Sequence, residues 1–171
     1  MTLTIKPGCL YVVATPIGDV DDMSVRARAV LAAVDQVAAE DTRTSAKLFD
    51  QLDLRTPLTA VHDHNEAHRV PGLIARLLAG ESLALISDAG TPLISDPGYR
   101  LIAAAHDAGI SVAPVPGPCA AIAALSVAGL ASDRFHFEGF LPSRQGPRVA
   151  RLSKLAEATP TLILYEAPHR I

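Results

Sequence analysis

The sequence predicts an α/β fold: a mainly parallel five-stranded sheet with helices on both faces, plus a partial second α/β domain. Three observations carry this. Short aliphatic runs alternate in regular order with segments whose apolar residues recur at helical spacing. Of 171 residues, 49% are apolar and only 19% charged, a composition that can bury a core. Turn residues separate most runs from the next.

Residues 10–14 (LYVVA) form the first strand. A helix over 24–34 follows, with Ala27, Val30, Leu31 and Val34 on one face. The second strand is Gln36–Ala39, then a short helix over 45–52 and an extended segment over 58–61. Leu73, Ile74, Leu77 and Leu78 make the buried stripe of a helix over 66–79, which Gly80 ends. Leu83–Ile86 is the fourth strand. Asp96-Pro97 has the form of an N-cap followed by proline in the first turn, so it opens a helix over 98–108 that stops at Gly109. Residues 112–115 are the fifth strand.

Beyond Val115 the texture changes. Pro116, Gly117 and Pro118 form a rigid connector, and an alanine-rich helix over 120–128 ends at Gly129. A strand over 135–137, a polar loop over 143–148, a helix over 149–158 and the strand Thr161–Tyr165 complete the chain. This places an N-terminal domain over 1–117 and the start of a second over 118–171. The second is too small to close a core alone, and the sheet partners of its TLILY strand are expected beyond Ile171 or from another chain.

A net charge of −3 argues against a broadly basic surface. No run approaches the roughly 18 apolar residues that span a bilayer, and MTLTIKPG is not a signal peptide, so the expected location is cytoplasmic. Cys9 and Cys119 cannot make a disulfide framework.

Ligands of open α/β sheets bind beyond the carboxyl ends of the strands. There the chain carries Thr15-Pro16-Ile17-Gly18-Asp19, Glu40-Asp41-Thr42-Arg43, His62-Asp63-His64-Asn65-Glu66, Ser87-Asp88-Ala89-Gly90-Thr91-Pro92 running on to Ser95-Asp96-Pro97-Gly98, and Pro116-Gly117-Pro118-Cys119-Ala120. Neither G-x-G-x-x-G nor a P-loop lysine occurs, which excludes the usual dinucleotide and NTPase sites. Glycine and proline in these loops expose backbone groups that suit a zwitterionic, adenosine-bearing ligand.

The runs LYVVATPIGDVDDMS, AAEDTR, HDHNE, SDAGTPLISDPGYRL, PGPCAAIAALS, FEGFLP and YEAPHRI resemble the ribosomal RNA small subunit methyltransferase I family, within the tetrapyrrole methylase superfamily. The resemblance implies S-adenosyl-L-methionine as cofactor, 2′-O-methylation of a cytidine in 16S rRNA of the small ribosomal subunit, and a homodimer. It implies that Pro16, Ser87, Asp88, Ala89, Gly90, Thr91, Pro92, Ile94 and Ser95 bind the cofactor. Gly117, Pro118, Cys119, Ala120, Ala121, Tyr165, Glu166 and Pro168 would join them. Asp19, Asp63, Leu93, Cys119 and Ala167 depart from the family pattern, Leu93 standing where glycine is common. The family's second domain also continues well past YEAPHRI.

Removing the ribose proton needs a base, and Asp41, His64 and Glu40 are the candidates. Asp41 reads equally as a helix cap or an ion-pair partner of Arg43. Arg43, Lys47, Arg144, Arg148 and Arg151 are the expected phosphate contacts. His62, His64, Glu66 and His68 have metal-ligand chemistry, but transfer from a sulfonium needs no Lewis acid, so no metal is expected. Two alternatives remain open: a methylase of a small tetrapyrrole-like substrate, and an inactive cofactor-binding or dimerisation fragment.

Overall fold

The computed structural model describes residues 4–167 and 170. Two compact units divide it, Met1–Cys119 and Ala120–Ile171.

The first unit contains β1 (Cys9–Val13), a 3-10 turn (Val20–Asp22), α1 (Val25–Ala33), β2 (Gln36–Ala39), α2 (Thr42–Gln51) and β3 (Leu58–Ala60). It continues with α3 (Glu66–Leu78), β4 (Leu83–Ile86), α4 (Tyr99–Asp107) and β5 (Ser111–Val115). All five strands are parallel, in the order β3-β2-β4-β1-β5. Leu10 pairs with Leu83 on one side and Val112 on the other.

Side chains alternate between two faces, as the pleat requires. Cys9, Tyr11, Val13, Val37, Ala39, Ala84 and Ile86 join Val30 and Leu31 of α1 and Phe49 of α2 in one core. Leu10, Ala38, Leu83 and Leu85 join Leu73 and Leu77 of α3 and Leu101 of α4 in the other. Because β1, β2 and β4 are covered on both faces, they read as unbroken apolar runs.

Four expectations are corrected. The second helix begins at Thr42, because Asp41 accepts the Arg43 amide at 2.8 Å and serves as its N-cap. Leu78 is 64% exposed, one position off the buried stripe of α3. Asp96 does not cap α4. Gly98 holds the N-cap position at φ 122°, and the buried carboxylate of Glu66 accepts the Leu101 amide at 3.0 Å. Lastly, β7 (Thr161–Tyr165) has its partner within the chain.

The second unit holds α5 (Ala120–Val127), β6 (Phe135–Phe140), α6 (Gln145–Leu155) and β7. β6 and β7 pair in parallel from Phe135↔Thr161 to Phe140↔Tyr165, with an irregularity between Phe137 and Gly139. The expected loop over 143–148 therefore overlaps α6, which starts four residues before Val149.

Candidate functional site

The carboxyl ends of β1 and β4 are stapled together. Thr15, 1% exposed, donates its amide to Gly90 at 2.8 Å and accepts the Gly90 amide at 3.1 Å. Thr91 Oγ1 donates to the Pro118 carbonyl at 2.9 Å, which ties residues 87–95 to the connector after β5. That connector passes so close to β1 that a Cβ on Gly117 would lie 2.9 Å from Ala14 Cβ, so only glycine fits there. Pro16, Ser87–Ser95 and Gly117–Cys119 thus gather on one rim of the first unit.

The backbone of this rim is unusual. Leu93 and Ser95 take left-handed conformations at φ 72° and 68°, which non-glycine residues adopt rarely and mostly under tertiary constraint. This explains why glycine suits position 93; here Leu93 packs against the core under α4.

Beside the rim, Glu40, Asp41, Arg43, His62, His64 and Asp88 line a cavity of about 450 Å³. The two candidate carboxylates differ sharply. Asp41 is bound by the Arg43 guanidinium at 2.9 Å, and that partner holds its pKa down at about 2. Glu40 is raised above the usual carboxylate range, first by burial and then by the neighbouring carboxylates of Asp96 and Asp88. His64 is exposed and stands edge-to-face with His62, ring centroids 6.0 Å apart. Glu66, grouped with these histidines by sequence, is committed to the Leu101 amide.

In the second unit, Tyr165 accepts the Ala121 amide at 3.0 Å and packs edge-to-face on Phe137 and Phe140. Glu166 pairs with Arg170 at 3.0 Å. Pro168 lies outside the described residues. Arg151 is neutralised by Glu138, Nη2 to Oε2 being 2.6 Å. Arg148 donates to the Pro142 and Ser143 carbonyls, so it keeps its net charge, and Lys47 and Arg144 are exposed.

A family model for tetrapyrrole (corrin/porphyrin) methylases matches residues 9–171. The chain belongs to the tetrapyrrole methylase family. Ribosomal RNA small subunit methyltransferase I of Pseudomonas aeruginosa is 59% identical over 164 residues, 96% of this chain and 58% of that protein. Its Xylella fastidiosa counterpart is 56% identical over 165 residues, 96% and 60%. The chain therefore spans about three-fifths of the length of these relatives. Uroporphyrin-III-C-methyltransferase from Thermus thermophilus superposes with a TM-score of 0.63 at 23% identity, over 96% of this chain and 70% of that one. Diphthine synthase does so at 0.68 and 19%, over 94% and 65%. At such identities the likeness concerns the fold.

In this tetrapyrrole methylase chain, sequence reasoning placed Asp96 on the rim but assigned it only a helix cap. It is half-buried, and burial raises its pKa against the opposing effect of a hydrogen bond with Ser87. A carboxyl raised in the folded state binds more protons than in the unfolded one, so its contribution to stability is lost as pH rises through the folded value. Asp96→Asn keeps the shape and removes the charge. The variant should melt higher than the unaltered chain at pH 7 and alongside it below the ordinary aspartate range, as thermal scans across pH would show. A lower melting point at pH 7 would mean that the charged form is favoured.

Proposed function

We propose that this chain carries the cofactor-binding part of an S-adenosylmethionine-dependent enzyme that methylates the 2′-oxygen of a cytidine ribose in 16S rRNA of the small ribosomal subunit. The observation that supports it best is 59% identity across 96% of the chain to a ribosomal RNA small subunit methyltransferase I. S-adenosylmethionine supplies a methyl carbon made electrophilic by the attached sulfonium.

The donor set fits that cofactor. Asp96 offers a carboxylate to its ammonium or hydroxyl groups, and the left-handed backbone around Leu93 and Ser95 offers main-chain groups at fixed angles. Pro16, Ala89, Gly90, Pro92, Ile94 and Gly117–Cys119 would border it. Thr91 sets the spacing of the two loops.

The chain's own work is to align the ribose oxygen, exclude water and take one proton. Glu40 is the best-placed acceptor, half-buried with a raised pKa, whereas Asp41 is committed to Arg43 and the start of α2. His64 lines the same cavity and is the second candidate. Lys47, Arg144 and Arg148 would meet phosphates, while Arg43 and Arg151 are already paired with Asp41 and Glu138. This function belongs in the cytoplasm, with a homodimer as the working assembly. Among the described residues, no helix is long and apolar enough to cross a membrane.

Transfer of a labelled methyl group to small ribosomal subunits, by a version extended to the relatives' length, tests the reading. Label should appear in 16S rRNA at an alkali-resistant linkage. Labelled free tetrapyrrole with unlabelled subunits would overturn it. Thr91→Val should separately weaken S-adenosylhomocysteine binding to the present chain by about tenfold, the loss of one well-made hydrogen bond. Calorimetry giving unchanged affinity would move the cofactor away from this loop.

A further inference from the structure

A second cavity, of about 680 Å³, lies in the first unit between the loop after β1, helix α2 and residues 87–89. Its size is that of a small-molecule site. Ile17 and Leu48 give it apolar walls, and Asp19, Ser45, Gln51 and Asp88 bring polar groups.

Ser45 is the decisive residue. It is 3% exposed, and its Oγ has no hydrogen-bond partner among the described residues. A helical serine commonly returns its hydroxyl to the carbonyl four residues back. Here the Asp41 carbonyl takes the Ser45 amide, and the hydroxyl is left over. A buried hydroxyl without a partner is costly, and a ligand seated in the cavity that Ser45 lines would supply the missing partner.

The remaining polar groups define that ligand. One oxygen of Asp19 accepts the Asp21 amide at 3.0 Å, and one of Asp88 accepts the Asp41 amide at 3.1 Å, which leaves each carboxylate a second oxygen. Two carboxylates repel phosphate and oxo-rich edges and attract an exocyclic amino group. The apolar walls suit the flat faces of a heterocycle. Asp88 also lines the Glu40 cavity, so a nucleoside straddling it would place its base on one side and its sugar beside Glu40.

We propose that this cavity seats the target base, an aminopyrimidine turned out of its RNA strand and read on its edge by Ser45, Asp19 and Asp88. The inference rests on the proposed RNA ribose methylation. Single-stranded RNA is commonly recognised through such splayed bases.

The test titrates cytidine and uridine into the isotope-labelled chain and follows backbone amide resonances. Cytidine should shift Asp19, Ser45 and Gln51, and uridine should bind at least fivefold more weakly. Ser45→Ala should weaken cytidine about five- to tenfold without lowering the melting temperature, because the hydroxyl has no partner to lose. Thr44→Trp, at an exposed α2 position lining the cavity, should abolish cytidine binding by filling it. Absent or displaced cytidine shifts, equal uridine affinity, or insensitivity to either substitution would overturn the proposal. So would S-adenosylhomocysteine shifting the same amides and displacing cytidine. Cytidine held in this cavity while subunits stay unmethylated would sink the functional reading alone, and methylated subunits with no cytidine in the cavity would sink the proposal alone.

Discussion

Replacing Gly98 by alanine should lower the stability of the first unit by about 2–4 kcal/mol, a sum of backbone strain and overpacking. Gly98 sits at φ 122°, a conformation that residues with a Cβ scarcely adopt. The added methyl would also lie 2.7 Å from Leu85 Cδ2 and 3.6 Å from Leu93 Cδ1. Leu85 is 1% exposed in the middle of the sheet, so it has nowhere to retreat. The substitution strikes where the candidate cofactor loop hands over to α4, whose first turn depends on Glu66 from α3. Gly72→Ala is the control. Gly72 lies inside α3 with nothing within 4 Å of an added methyl, so it should gain about 0.5–1 kcal/mol. Urea unfolding followed by circular dichroism measures both. A loss below about 1 kcal/mol at Gly98 would show that Leu85 and the loop yield freely.

The same loop shows where sequence reading succeeds and where it stops. The parallel sheet was legible because β1, β2 and β4 are buried on both faces, leaving apolar runs bounded by polar loops. The rim was legible for the reason that βα loops collect turn residues at one end of such a sheet. Asp96-Pro97 misled because its local pattern is that of a helix start. The helix starts later, after Gly98, and the amide of its third residue, Leu101, is met by the carboxylate of Glu66, 35 residues earlier in the chain. No local window contains that pairing. The pairing of β6 with β7 was hidden similarly, since Gly139 and the irregularity beside it interrupt the alternation that marks a strand.

At the site, residue types could nominate Asp41, Glu40 and His64 but could not rank them. Adjacent carboxylates in one sequence run look equivalent. Their difference comes from the fold: Arg43 neutralises one, while burial and three acids from other loops, Asp96, Asp88 and Asp63, act on the second. Ser45 left a fainter signal, a serine four residues before Phe49 on the buried face of α2.

That difference leads to the largest expected functional effect. Glu40→Gln, in a version extended to the relatives' length, should slow methyl transfer to small subunits by about 10²–10⁴-fold, the usual worth of a positioned general base. A base must be unprotonated to act and is strongest when its pKa approaches the working pH. Glu40 is shifted in that direction, whereas Asp41, at about 2, is a weak acceptor at neutrality. The unaltered enzyme should therefore gain rate as pH rises through a value above the ordinary carboxylate range, and Glu40→Gln should lose that limb. S-adenosylhomocysteine affinity should change little, which separates proton transfer from cofactor binding. Asp41→Asn should act mainly through a less stable start to α2, with the pH limb retained. Transfer within tenfold of normal in Glu40→Gln, with collapse in His64→Ala, would assign the proton to His64 instead.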